Sequence, residues 1–262
     1  QKDGKTVDRD HTYWLATGFY DQSPFYRELR DFDGVLNPAL RAQRSIHLIV
    51  GMDRMLQLWD RPFKWTTEAY YKFLDDLIPY EVDNVRIRYY AKNNSSGYAF
   101  GLDTKLNGEL IPGVESWMSV SVLSTQEDLD DDYYYLRLNA AGDTIVPGYT
   151  FDQVPVDSIL KQPGFIPRPT DQRVGVNLYF QDEMPRWPTF KVHMNLVFGT
   201  GLPFGPPSET RYADTLRTSL YRRVDIGFSK QLLGAPGQEK TNGLRHIKDL
   251  WISLEVFNLI NI

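Results

Sequence analysis

Hydrophobic and polar side chains alternate along much of this chain with a period of two. From Gly97 to Leu110, one set of positions reads Tyr98, Phe100, Leu102, Thr104, Leu106, Gly108, Leu110. The interleaved set reads Gly97, Ala99, Gly101, Asp103, Lys105, Asn107, Glu109. Successive side chains of a β-strand point to opposite faces, so this spacing predicts a strand with one apolar and one polar face. Similar alternation runs over Phe63–Phe73, Val174–Gln181, Phe190–Gly199 and Leu250–Phe257, with weaker versions at 12–22, 43–59, 116–127 and 220–232. Together these segments predict nine strands. Two segments read as helix candidates, Pro155–Gln162 and the weaker Arg27–Leu40.

Strand length and connection length favour a membrane barrel over a soluble sandwich. Soluble strands usually run about 5–6 residues, whereas a tilted strand needs about 9–11 to cross the hydrocarbon core. Several alternations here reach or exceed the longer figure. The connections also alternate. Long ones at 23–42, 79–96, 128–171 and 201–219 are interleaved with short ones at Asp60–Pro62, Ile111–Glu115 and Met184–Pro188, and 233–247 is intermediate. Outer-membrane barrels carry short periplasmic turns on one rim and long loops on the other. Trp59, Phe63, Trp65, Trp187 and Phe190 flank the short turns, where an interfacial aromatic girdle is expected. Bacterial single-chain barrels close with an even number of strands. Nine strands, with no aromatic-terminated final strand near Asn261-Ile262, lead to the expectation that residues 1–262 are one part of a larger barrel domain.

Composition narrows the function classes. With 29 basic and 34 acidic side chains the net charge is −5, so there is no basic excess to engage nucleic acid. Cysteine is absent, which excludes disulfides and thiol chemistry. No apolar run is long enough for a membrane helix, and the first residues contain no signal-peptide core. Neither point bears on a β-barrel, whose alternating strands give weak hydropathy. No nucleophile elbow, zinc-protease helix or P-loop occurs. The four histidines, His11, His47, His193 and His246, lack ligand spacing. An enzyme is therefore not expected, nor any cofactor.

Several stretches resemble the C-terminal barrel region of TonB-dependent outer-membrane receptors. They are Gly18–Glu28 (GFYDQSPFYRE), Trp59–Lys64 (WDRPFK), Ser96–Asp103 (SGYAFGLD), Gly201–Pro207 (GLPFGPP), Tyr221–Phe228 (YRRVDIGF) and Leu254–Leu259 (LEVFNL). The series spans nearly the whole chain, and its order is more specific than any single piece. The resemblance implies a 22-stranded barrel enclosing an N-terminal plug domain. It further implies location in the outer membrane of a Gram-negative bacterium and uptake of a scarce ligand (iron chelate, cobalamin, glycan or peptide) energised by TonB. No stretch resembles the plug or a TonB box, so transport by this region by itself is not expected. Implied partners are the TonB complex acting through a plug, outer-membrane lipids, and a small-molecule or oligomeric ligand, with a surface lipoprotein as a further candidate. The alternatives are a porin-like or adhesion barrel, or a soluble carbohydrate-binding β-sandwich.

Three residue groups carry the candidate chemistry. Phe25, Tyr26, Tyr133, Tyr134, Tyr135, Tyr149 and Phe151 fall on long loops, where exposed aromatics could take sugars or chelates or could pack the loops together. Lys64, Glu68, Lys72, Asp103, Lys105 and Glu109 fall on the polar face, where a barrel interior would pair them across strands or against a plug. Glu127, Asp128, Asp130, Asp131 and Asp132 open the longest loop. They are expected to be a solvated loop entry, with a hard-cation site on the four aspartates as the sharper alternative.

Overall fold

The computed structural model describes residues 10–83, 86–111, 114–130, 132–184, 187–205, 210–234 and 246–260. In chain order the strands are β1 His11–Gln22, β2 Gln43–Leu58, β3 Arg61–Leu77, β4 Tyr80–Asp83, β5 Arg86–Tyr89, β6 Ser95–Ile111, β7 Val114–Leu129 and β8 Tyr134–Leu138. They continue with β9 Asp157–Lys161, β10 Ile166–Pro167, β11 Val174–Met184, β12 Trp187–Gly199, β13 Pro203–Phe204, β14 Leu216–Arg217, β15 Tyr221–Leu233 and β16 Leu250–Val256. No helix occurs among the described residues. The protein is all-β and antiparallel. One sheet follows the path β1-β2-β3-β6-β7-β11-β12-β15-β16, and β10 adds to β7. Those nine path strands are the nine that the alternation predicts. Among the described residues the sheet does not close: β1 pairs only with β2, and β16 only with β15.

Register carries the alternation across the sheet. Leu15, Val50, Ala69, Leu102, Val122 and Val174 face one another on six successive strands. The neighbouring row on the opposite face is Trp14, Gly51, Glu68, Asp103, Ser121 and Gly175. Across these six strands one row is thus apolar, and the opposite row, apart from Trp14, is charged, polar or glycine. Within the apolar face Leu15, Val50, Leu102, Val122, Phe228 and Leu254 are all exposed. Besides the main sheet, the described residues form only two-stranded hairpins, β4–β5, β8–β9 and β13–β14.

Connections sort by rim. The carboxyl ends of β1, β3, β7 and β12 emit the long ones, 23–42, 78–94, 130–173 and 200–220, while at the opposite rim β2 and β3, β6 and β7, and β11 and β12 are each separated by two residues. The β2–β3 turn is two residues, Trp59 and Asp60, both at positive φ (52° and 58°). That is the type I′ geometry whose twist suits a hairpin, reached here without glycine. At the same rim the β15–β16 connection, 234–249, is the long exception.

The helix candidates are corrected. Most of Pro155–Gln162 is β9, held in register to β8 with Leu136 opposite Ile159, so its backbone groups pair across a hairpin. Arg27–Leu40 is a set of turns closed by an Arg30–Leu36 bridge. There the Asp31 carboxylate accepts the N–H groups of Asp33 (3.0 Å) and Val35 (2.8 Å), a local alternative to helical bonding.

Candidate functional site

The long connections do not stand apart; a polar network joins them to each other and to the main sheet. At its centre Glu127, near the end of β7, is 1% exposed, and so is Arg211 of the 200–220 connection. They form an ion pair, and Arg168 Nε donates to the other Glu127 oxygen at 3.2 Å. Arg211 Nη1 donates to the Pro167 carbonyl at 2.8 Å, and its backbone N–H donates to Glu81 Oε1 at 3.2 Å. Tyr90 Oη donates to the same Glu81 oxygen at 2.6 Å. Burial, then that bond to a carboxylate, pushes the Tyr90 phenol well above its ordinary range.

A second node lies beside it. Asp171 is fully buried and accepts the Thr125 backbone N–H at 2.7 Å. It pairs with Arg173 Nε at 2.8 Å and with Arg217, whose Nη1 also reaches the Gly201 carbonyl at 3.1 Å. The first connection is tied in separately. Asn37 Nδ2 donates to the Ala91 carbonyl at 2.9 Å, the Arg41 N–H to Asn93 Oδ1 at 2.8 Å, and Arg41 pairs with Asp76. Buried charges are stabilised when paired and hydrogen-bonded, and Glu127 and Asp171 both meet that condition.

Glu127 therefore corrects the expectation of a solvated loop entry. Its flanking acids differ: Asp130 is exposed, whereas Asp132 is buried with Oδ2 lacking a hydrogen-bond partner. Burial, then the charge of Asp128, raises the Asp132 carboxyl above its ordinary value. Among the described residues no group of three or more His, Cys, Asp or Glu is placed to hold a metal ion. Asp131 lies outside the described residues.

The loop aromatics fall into two sets. Phe25 and Tyr26 are exposed in the first connection, with Arg30 Nη2 donating to Tyr26 Oη at 2.9 Å. Tyr133 and Tyr135 meet edge to face at 6.3 Å beside half-buried Tyr134, while Tyr149 is 90% exposed and Phe151 fully so. Among the described residues no ring contact joins the two sets. Lys64, Glu68, Lys72, Asp103, Lys105 and Glu109 share the polar face by register. Lys64 pairs with Asp53 of β2 at 3.1 Å, but Lys72 and Lys105 lie over the rings of Tyr70 and Trp117, at 5.0 and 5.2 Å. These two lysines make cation–π contacts, where the polar-face pattern alone predicts cross-strand charge pairs.

At the tight-turn rim Trp59 and Trp187 are exposed, and Phe190 contacts Trp187 at 6.3 Å. Phe63 departs from an outward girdle position: it is 2% exposed, lies over Gly108 and touches Trp59 at 6.1 Å. Trp65 is half-buried and donates its indole N–H to Thr104 Oγ1 at 2.7 Å. A second aromatic cluster sits on the apolar face near the long-connection rim. Tyr71 stacks on Tyr98 (6.1 Å) and Phe100 (6.5 Å), with Phe73 and the loop residue Phe165 alongside. No protein-family model matches the chain.

Proposed function

We propose that this chain forms part of the wall of a TonB-dependent receptor in the outer membrane of a Gram-negative bacterium. The apolar face meets lipid, the polar face lines the lumen, and the long connections face outward to gather a scarce ligand. The observation that carries this reading is the uncovered apolar face that crosses nine strands. Soluble monomers rarely expose apolar patches beyond a few hundred Å², and a sandwich would need a second sheet over this one. Height supports the same reading. Phe63 and Phe73 lie ten residues apart on β3; at about 3.3 Å per residue and a tilt of about 40° they are separated by ~25 Å, the height of a barrel's apolar band. The free edges of β1 and β16 leave the circumference to be completed by strands other than these nine. Energy would come from the TonB complex through a plug domain.

Adjacent positions on β7 test the assignment. Val122→Arg places a charge on the lipid face at a cost of about 2–4 kcal/mol near the midplane. Ser121→Arg places one in the lumen opposite Asp103. The first is expected to abolish heat-modifiable barrel in the outer-membrane fraction and the second to leave it intact. Equal tolerance, or a folded protein obtained without detergent, overturns the membrane reading.

A further inference from the structure

The polar face is not uniform. Toward β2, β3 and β6 it is charged, with Asp53, Lys64, Glu68, Lys72 and Asp103 on adjoining rows. Across β7 from Trp117 to Thr125, and across β11 from Gly175 to Gln181, the positions on this face carry no charge. A row of rings crosses that uncharged half. Lys105 lies over Trp117; Trp117 stacks on Tyr179 (6.2 Å, planes 22° apart), and Tyr179 stacks on His193 (6.5 Å, 28°). The His193 ring occupies the space over Gly227, where a Cβ would overlap it, and Nε2 reaches to 3.8 Å from Glu255. The row thus spans β6 to β16, with a cation at one end and a carboxylate at the other. All three rings are half-buried, so each keeps part of its surface open to the lumen side. Ser119, Asn177, Gln181 and Asn195 flank them on the same face, and Gln181 Oε1 accepts the Tyr179 hydroxyl at 2.8 Å.

We infer that this row is a binding track for an uncharged oligosaccharide. The inference rests on the receptor reading, because only there does this face line a lumen. Aromatic faces carry a negative quadrupole that attracts the C–H face of a pyranose ring. Amides and hydroxyls beside them offer both donors and acceptors, the pairing that sugar hydroxyls need. From Trp117 to Thr125 and from Gly175 to Gln181 an ionic ligand would find no counter-charge on this face, and the charges nearest the row, Lys105, Lys191, Asp225 and Glu255, stand at its margins. Three successive rings about 6 Å apart suit an extended chain of sugar units better than a single compact chelate.

The test uses the full-length receptor carrying this chain, purified in an ether-type detergent without a sugar headgroup. Maltohexaose, cellohexaose and xylohexaose are titrated calorimetrically, with hexaglutamate and hexalysine as charged controls. At least one neutral hexasaccharide is expected to bind. Trp117→Ala should weaken it ten-fold or more, and so should Gly227→Val, which displaces the His193 ring without removing it. Asp53→Asn, in the charged half, should change affinity less than two-fold. The track is overturned if no neutral hexasaccharide binds, if the two ring variants bind as wild type, or if a charged peptide binds in preference. Heat-modifiable migration of each variant shows that it has assembled. An assembled outer-membrane barrel that ignores all three sugars sinks the track alone, whereas failure of the wild type to assemble in the membrane sinks the receptor reading as well.

Discussion

Replacing Glu127 by alanine is expected to cost about 3–5 kcal/mol at the long-connection rim, because it leaves a buried cation unpaired. Arg211 is 1% exposed and its Nε already lacks a partner. Without Glu127, only the bond from Nη1 to the Pro167 carbonyl would hold the guanidinium. Arg168 is less affected, since its side chain is 22% exposed and can turn outward. The reverse change, Arg211→Met, leaves Glu127 still paired with Arg168 at 3.2 Å. It should cost only about 1–3 kcal/mol, the range for stranding one hydrogen-bonding group. At 1.4 kcal/mol per decade, Glu127→Ala should speed amide hydrogen exchange roughly 10²- to 4 × 10³-fold in segments 164–173 and 210–218 of the intact protein. Exchange in β3 and β6 should stay unchanged, because that part of the sheet does not depend on this pair. An increase below about five-fold, or an Arg211→Met effect as large as that of Glu127→Ala, would refute the claim that Glu127 compensates a trapped arginine.

Three further outcomes follow from the geometry. A Cβ at Gly101 would lie 2.5 Å from both Tyr70 Oη and the Val122 carbonyl, so Gly101→Ala should destabilise the folded sheet by about 1–3 kcal/mol, read as a lower unfolding temperature. On the receptor reading proposed above, chymotrypsin added to intact cells should cut after Tyr149 or Phe151, the most exposed aromatics of the 130–173 connection, and spare Trp59; cutting at Trp59 would overturn the orientation that reading assigns. Asp132 has its carboxyl raised above the ordinary 3.8 by burial. The stability linked to it is full below that value and lost as pH rises through the raised one. Asp132→Asn should therefore protect the 132–139 amides more than wild type at pH 7 and equally at pH 3; no difference at pH 7 would contradict the burial effect.

The nine-stranded sheet path could be read from the sequence because its signal is local and repeated. Every second residue of Phe63–Phe73 or Tyr98–Leu106 is apolar except Thr67 and Thr104, which hydrogen-bond each other, and one face of each strand imposes that pattern over most of the strand length. The hairpins inside the connections escaped. β4, β5, β8 and β9 span only four or five residues each, and exposed β9 has no buried face to enforce alternation, so Pro155–Gln162 could be taken for a helix. The rim network left no trace for a different reason. Glu127 meets Arg168 at a separation of 41 residues and Arg211 at 84, and nothing near an arginine in the chain marks which carboxylate it will reach. The ring row was hidden likewise: Trp117, Tyr179 and His193 become neighbours only when the register of three strands is known.

The paired glycines bear on how the strands find their register during assembly. Alternation distinguishes the correct pairing from a slip of one, which would exchange the two faces, but it cannot detect a slip of two. Four glycines face rings on the neighbouring strand: Gly51 opposite Trp14, Gly101 opposite Tyr70, Gly108 opposite Phe63, and Gly227 opposite His193. Each ring fills the space that a Cβ would occupy. After a slip of two, Tyr70 would meet Asp103 or Ala99, and His193 would meet Asp225 or Ser229, each with a side chain where the ring must lie. The glycines therefore act as sockets that accept their rings in only one alignment. They reject the even-numbered errors that the apolar and polar faces let pass.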